Sequence, residues 1–518
     1  MIKYIFRRLF HGIVSIIIVL EIVMVLIFTL LDRNSIFLSD SLFNTKKSNA
    51  KIVYKYEEWE KYVYLDYVNY TDYINELVKS DKLDEDLAMK ASNLGKTPNN
   101  DSNITSEWVN RFTNYYEEKG YDVVRLNYEN VGDASSGKQR LFAHKDISLA
   151  TRLINYFGNL IEIDSLSYAK EVKGERGLSF TWFDPAYGGQ SFSPAILGNG
   201  TKHKYLLYFD SKFPFIHQNF ININLGKSYA GENKGKDIVD VLTDEQGKDK
   251  YSDTYFPSGV VEYRAEDMHS LEYQFGASKL YPNLYKDDYV ASSLNKDSLS
   301  RIGNSFLIGI IASILTYLIG VPIGILMAKN KNKLIDKLGT IYIVFILAVP
   351  SLAYIFMFRS LGDSLFNLPT SFNLPNQNKI LIYILPIVSL ALPQAANIMK
   401  WLRRYMVDQM GSDYVKFAKS SGLGEKEIFT KHVLKNSAIP LIHGIPGTIL
   451  GALTGAIITE SVYSVPGTGG LLTDAISIYD NGSIIALTFF YACLTVLSLI
   501  LGDLLIKAVD PRISFEEW

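Results

Sequence analysis

Six apolar runs limit what this chain can become more than any other feature. They are Ile13–Leu31, Phe306–Met327, Leu338–Phe358, Ile380–Met399, Ser437–Thr459 and Ile484–Gly502, each 19 to 23 residues long. About 20 helical residues cross the hydrocarbon core of a bilayer, where every backbone group must be satisfied within the protein. Only Glu21 and His443 interrupt the runs with an acid or an imidazole. A surface helix of a soluble protein would show a polar face, so six membrane-spanning helices are expected. Lys3, Arg7 and Arg8 precede the first run as they would in a secretory signal. The run exceeds the roughly 7–15 apolar residues of such a signal, and no small-residue cleavage site follows at Leu31-Asp32-Arg33. An uncleaved anchor is the expectation.

Charge divides the chain in two. The net charge of −2 is a cancellation: residues 33–300 hold 32 Lys and Arg against 39 Asp and Glu, and the remainder holds 20 against 15. The pI of about 6.4 argues against a nucleic-acid partner. Cys493, the sole cysteine, excludes a disulfide framework within the chain and a cysteine metal site. Orientation follows from the short loops. Lys329, Lys331, Lys333 and Lys337 lie between runs two and three; Lys400, Arg403, Arg404, Lys416, Lys419, Lys426, Lys431 and Lys435 lie between runs four and five. The opposite short loops carry only Arg359 and Lys379. Positive loops face the cytoplasm, which predicts a multi-pass protein of a cell membrane with both termini inside and residues 33–300 extracellular.

These signals divide the chain into 1–32 (cytoplasmic N-terminus and first span), 33–300 (extracellular domain), 301–512 (five-helix core) and a tail at 513–518. The outer domain is expected to be α+β. In Lys51–Leu94, the positions Tyr56, Trp59, Tyr62, Tyr67, Tyr70, Ile74 and Leu77 recur at steps of three to five, predicting one or two amphipathic helices. Ile147–Ile163 reads as another helix. Lys204–Phe209, Phe220–Leu225 and Val260–Tyr263 read as strands. Gly226-Lys227-Ser228 resembles the end of a phosphate-binding loop, but Ile221 stands where the first glycine is needed. His144, His203, His217 and His269 lack metal-ligand spacing.

The loop at 411–436 is the most informative segment. Tyr414, Phe417, Ala418 and Ser421 form a helical stripe; Gly422-Leu423-Gly424 permits a break; and a second short helix starts at Glu425, whose charge suits the helix dipole. With Ala418 and Gly422 four residues apart, the loop resembles the EAA loop of ATP-binding-cassette (ABC) importer permeases, where this pair marks the coupling helix. Asp413-Tyr414-Val415, Gly422-Leu423, His432, Leu434 and Asn436 are similar to the oligopeptide/dipeptide (Opp/Dpp) branch. Ala391-Leu392-Pro393, Glu460-Ser-Val-Tyr-Ser-Val-Pro466-Gly467-Thr-Gly469 and the closing Asp510-Pro511-Arg512-Ile513 add matches in the branch's order, the last typical of its first (B-type) permease subunit. Two features depart from the pattern. Leu31-Asp32-Arg33-Asn34 replaces the usual Pro-Gly-Asp-Pro-type turn, and the outer domain is enlarged, as in the Ami-type oligopeptide permeases of Gram-positive bacteria.

The resemblance implies a mainly α membrane protein with the six-helix permease fold of type I ABC importers and an α+β extracellular insertion between helices 1 and 2. It implies a transport subunit rather than an enzyme, in a complex with a second homologous permease, two cytoplasmic ATPases and an extracellular substrate-binding lipoprotein that delivers oligopeptides. This chain would carry no cofactor, since ATP and Mg would be bound by the ATPases. Ala418, Ser421, Gly422, Leu423, Gly424, Glu425 and His432 would couple to the ATPases. Gly447, Gly451, Gly455, Glu460, Pro466 and Gly467 would line the pathway or a helix interface. The glycine repeat suits close helix approach, either to the partner permease or to a helix of this chain. Glu21 and His443 are intramembrane polar candidates: Glu21 either bonds a neighbouring helix or lines the pathway, and His443 is expected to be packed or bonded. The outer domain could dock the binding protein, cap the pathway or brace the partner permease. Dipeptides or nickel are alternative cargoes in this branch. A membrane-anchored sensor or surface enzyme would need a signalling module or a catalytic constellation, and a secondary transporter would need internal repeats and mid-span ion sites.

Overall fold

The computed structural model describes residues 2–509 apart from 39, 96–97, 128–138, 210–215, 230, 250–252, 256–260, 264–267, 284, 286, 292–295 and 374–379. Lys379, Val260, the closing Asp510-Pro511-Arg512-Ile513 and the tail 513–518 lie outside the described residues. Among those described, five helices are long and apolar enough to cross a membrane: Lys3–Leu30, Arg301–Lys329, Leu381–Met410, Ile445–Tyr463 and Asn481–Val509. The chain is a multi-pass membrane protein.

The third expected span is not one helix. Leu334–Ala348 and Ser351–Phe366 meet at a 114° bend, which divides the run Leu338–Phe358. Pro350 has no N–H to continue the ladder and holds Val349 extended at ψ 132°. Pro322, Pro386 and Pro393 sit inside helices that continue through them. The fifth run, Ser437–Thr459, is also divided: Lys435–His443 ends at Gly444 before Ile445–Tyr463 begins. His443 is therefore at a junction rather than within a span.

Small residues set the distance between spans. A Cβ on Gly320 would come within 2.8 Å of the Ile398 side chain and 3.1 Å of the Ala395 carbonyl, and one on Gly309 within 2.9 Å of Leu453. Ala312, Ala391, Ala395, Ala396, Ala452 and Ala456 are fully buried along the same contacts. Helices in lipid associate through such close packing, without a hydrophobic driving force between them.

Between the first and second spans lies an α+β domain. Leu65–Asn69, Arg140–Asp146 and Asp122–Leu126 form an antiparallel sheet with Arg140–Asp146 central. The helices Tyr70–Lys79, Glu85–Ala91 and Asn103–Glu118 pack on it through Tyr70, Ile74, Ala91, Phe112, Leu141 and Ala143. Gly177–Thr181, Ala195–Asn199, Tyr205–Phe209 and Ile216–Gln218 form a second, four-stranded sheet. Two helix expectations are corrected. Lys51–Leu94 contains the strand Leu65–Asn69, so Tyr67 belongs to a sheet. Ile147–Ile163 is a helix only over Leu149–Gly158; after the cap at Asn159, Ile161–Ile163 pairs with Ile221–Ile223. Cross-strand pairing decides both, and periodicity within one segment cannot register it. The other expected strands are Tyr205–Phe209, Ile221–Ile223 and Val261–Tyr263.

This domain is fastened to the spans. Ser228 Oγ donates to Asp480 Oδ2 at 2.5 Å, and Asn481 Nδ2 to the Tyr64 hydroxyl at 2.9 Å. Leu149, Leu153 and Phe157 pack on Leu20, Met24 and Ile27, and Ile238, Val241 and Leu242 on Leu471, Ala486 and Leu487.

Gly320→Ile should overpack the contact between the second and fourth spans and cost about 1–3 kcal/mol, read as a lowered melting temperature in detergent. In the inserted domain, burial opposes charge on His203. Its contacts to Asp164 (3.1 Å) and Glu272 (3.3 Å) outweigh that and push its pKa up to about 9. The stability from protonated His203 is full below its ordinary value of 6.5 and is lost as pH rises through about 9. Melting scans from pH 6 to 10 should show that slope, and His203→Gln should flatten it.

Candidate functional site

The loop after the fourth span forms a capped turn between two helices. Asp413–Ser420 is helical and buries Val415 and Ala418 against Ala328, Leu402, Met406, Ile428 and Val433. Phe417, expected on the buried stripe, points outward and is 73% exposed, and Val415 takes its place. Ser421 is exposed. At the helix end, Gly422 N–H donates to the Lys419 carbonyl (3.1 Å) and Leu423 N–H to the Ala418 carbonyl (3.2 Å). This is a Schellman turn, which requires a left-handed residue at its fifth position; Gly422 has φ +82°. The four-residue spacing from Ala418 to Gly422 thus has a geometric cause. Ala418 is small where the helix meets the spans, and Gly422 reverses the chain one turn later.

Gly424 then starts the next helix, with Glu425 and Glu427 in its first turn. That helix is not short. It widens into a π-helix over Ile428–Leu434, with His432 half-buried in it, and continues as Lys435–His443. Ser421, Gly422, Leu423, Gly424, Glu425 and Lys426 form a continuous exposed tip. Arg403 grips Asp336 through both carboxylate oxygens, at 2.5 and 2.8 Å, joining the fourth span to the helix Leu334–Ala348.

The fifth span has two unlike faces. Ala452, Leu453, Ala456, Thr459 and Glu460 are buried. Gly447, Gly451, Thr454 and Ile458 are exposed, at steps of four, three and four. A Cβ on Gly447 or Gly451 would meet nothing within 4 Å. Packing on another helix of this chain is therefore corrected for these two glycines. For Gly455 only its helical placement is described.

Glu460 lies inside the chain. Its Oε2 accepts from the backbone N–H groups of Gly469 (2.8 Å) and Gly470 (2.9 Å), and its Oε1 from Ser305 Oγ (2.6 Å). The carboxylate thereby caps the N-terminus of Thr468–Ser477, where orphan N–H groups and the helix dipole favour it. A Cβ on Gly467 would come within 2.3 Å of the carboxylate, and one on Gly469 within 2.7 Å of the Ile457 backbone. The Pro466 carbonyl accepts from Asn304 Nδ2 at 2.9 Å. Glu460, Pro466 and Gly467 thus join the second span, the fifth span and the helix after it.

The two intramembrane candidates differ. Glu21 is exposed and has no hydrogen bond or ion pair among the described residues, so it bonds no described helix of this chain. His443 Nε2 lies 3.3 Å from Asp503 Oδ1, and Asp503 Oδ2 accepts from Tyr4 OH (2.7 Å) and Arg8 Nε (3.1 Å). These bonds join the first span, the last span and the break at Gly444. Sequence reading missed Asp503, Ser305 and the Asp336–Arg403 pair. Asp503 borders an apolar run directly, and that was the one available signal.

Residues 320–515 match the family model described as "Binding-protein-dependent transport system inner membrane component". The chain is 34% identical over 523 residues to the oligopeptide transport system permease protein AmiC of Streptococcus pneumoniae, covering 99% of each chain. It is 31% identical over 246 residues to the dipeptide transport system permease protein DppB of Lactococcus lactis, covering 47% of this chain and 77% of that one. A third relative is the oligopeptide transport system permease protein AppB of Bacillus subtilis, 28% identical over 272 residues, covering 49% and 84%.

Glu460→Ala should leave two backbone N–H groups and the Ser305 hydroxyl without an acceptor, costing roughly 2–5 kcal/mol. A melting shift in detergent checks it, and Gly467→Ala should lower stability in the same direction.

Proposed function

We infer how this chain works from the family to which it belongs, the binding-protein-dependent transport permeases of the Opp/Ami peptide type. It is the transmembrane permease subunit of a peptide ABC importer, a transport component rather than an enzyme. On this reading the complex contains a second homologous permease, two cytoplasmic ATPases that bind ATP and Mg, and an extracellular lipoprotein that delivers oligopeptides. The arrangement is that of a type I importer. The basic segments, 411–436 among them, face the cytoplasm, and the inserted domain faces outward.

The observation that carries the mechanism is the two-sided coupling segment. One face, Val415 and Ala418, is buried on the inner ends of the spans, and the other is an exposed tip closed by the Gly422 turn. A partner gripping Leu423, Gly424 and Glu425 would move a rigid element, and His432 lies on the helix that carries the motion toward the fifth span. ATP-bound partners that prefer one arrangement of this element shift the population between inward- and outward-open states. The exposed stripe of Gly447 and Gly451 is assigned to the second permease or the pathway wall, since no described residue covers it. The inserted domain is assigned to docking the lipoprotein or capping the outer mouth.

Ala418→Asp puts a carboxylate into the buried contact, and Gly422→Pro cannot adopt the positive φ of the turn. Both should reduce uptake of labelled peptide by at least ~10-fold and lose ATPase co-purification, with unchanged amounts of the protein in the membrane. Wild-type uptake with either variant would remove the coupling assignment.

A further inference from the structure

The seam between the inserted domain and the first and last spans holds a half-open cavity of about 390 Å3. Met24 and Phe28 of the first span, Asn481 and Ile485 of the last, and Arg152 and Tyr156 of the helix Leu149–Gly158 line it. Its polar side is incomplete. Arg152 Nε, Tyr156 OH and Asn481 Oδ1 are all buried and have no hydrogen-bond partner among the described residues. Buried polar atoms are otherwise almost always paired.

Arg152 is the strongest of these signals. It is 9% exposed, its guanidinium lies over Phe28 (4.4 Å) and Tyr64 (5.4 Å), and one nitrogen donates to the Tyr64 carbonyl at 2.7 Å. Among the described residues no carboxylate forms an ion pair with it. The other charges at the cavity already have partners: Asp237 lies 3.9 Å from both Lys202 and Lys227, and Lys61 pairs with Glu58 at 2.8 Å. A buried guanidinium is costly without an anion. The unpaired atoms fix the chemistry that a ligand of this cavity would need. Arg152 Nε asks for an anionic oxygen, and Asn481 Oδ1 asks for a hydroxyl or another donor.

A second cavity, of about 470 Å3, lies along the same two spans toward their other ends, lined by Ile16, Val19, Ala492 and Val496, with Arg8 and His11 at its far end. A free phosphate would use the first cavity alone; a molecule with an anionic head and an apolar tail would use both. We propose that the seam binds an anionic phospholipid. Its phosphate sits against Arg152, its headgroup hydroxyls reach Asn481 and Tyr156, and its acyl chain runs into the groove between the first and last spans. A guanidinium held beside a span can give a phosphodiester a charge-assisted hydrogen bond. The site is independent of the coupling segment and of the transport assignment.

The test uses the purified, delipidated transporter complex, with lipid counted by native mass spectrometry and stability read by melting temperature. The probes are phosphatidylglycerol, phosphatidylcholine with the same chains, and inorganic phosphate. Phosphatidylglycerol should stay bound at one per permease and raise the melting temperature, with roughly tenfold or greater preference over the other two. Arg152→Gln should remove that preference and Arg152→Lys should keep part of it. Tyr156→Phe deletes only a hydroxyl, so it tests the site even if Arg152→Gln folds poorly, and it should weaken binding several-fold. Equal retention of phosphatidylglycerol and phosphatidylcholine, or wild-type lipid affinity in Arg152→Gln and Tyr156→Phe, overturns the proposal. Phosphate competing as well as the lipid overturns the lipid as its source.

Discussion

Glu460 is the interaction on which the arrangement of the spans depends. A carboxylate with no solvent exposure must find all its partners in the protein, and this one takes them from two other pieces of chain: Ser305 on the second span, and Gly469 and Gly470 at the start of the following helix. Gly469 is there because nothing larger fits, since a Cβ on it would come within 2.7 Å of the Ile457 backbone. The rotation of the fifth span is then set, with Ala452 and Ala456 turned inward and Gly447 and Gly451 turned away from the rest of the chain. A single buried acid thus decides which face of that span is left for contacts beyond this subunit.

The opposite end of the same span is governed by backbone geometry. The helix that begins at Gly424 runs through a π turn to His443, and Gly444 divides it from the span itself. Asp503 gathers His443, Arg8 and Tyr4 at this point, so the break is tied to the first and last spans. Gly502 brings the last span close there, since a Cβ on it would sit 2.8 Å from the His443 carbonyl.

The place of five spans was legible because the length of an apolar run is a direct physical requirement of the bilayer. Their breaks were not. Pro322, Pro350, Pro386 and Pro393 look alike in the sequence, and only Pro350 of these divides its run. The two acids show the same limit. Glu21 attracted attention as a charge inside an apolar run and has no partner among the described residues, whereas the knot around Glu460 rests on Ser305, 155 positions away. The pair Ala418 and Gly422 was legible by resemblance, and the Schellman turn gives that spacing its cause. Tyr67 was misplaced because its strand is defined by Arg140–Asp146, far along the chain.

The helices on either side of the fifth span belong to two packed groups, while the span itself packs through Ala452 and Ala456 on Ile308 and Ala391. Residues 411–436 pack with the second and fourth spans through Ala328, Leu402 and Met406, whereas the inserted domain packs with the first and last spans through Leu20, Met24 and Ala486, and with the second at Ile302. Val433 and Leu441, on the helix leading into the fifth span, join the first group. Leu471, on the helix capped by Glu460, joins the second, against Ile238 and Leu242 of the inserted domain. A displacement of the exposed tip at 421–426 that turned the fifth span would carry the Glu460 cap with it, and the capped helix would press on the inserted domain. A contiguous set of packed elements with discrete alternative arrangements is what physical coupling between distant sites requires. The cap at Glu460 is where that set would fail if the carboxylate lost its partners.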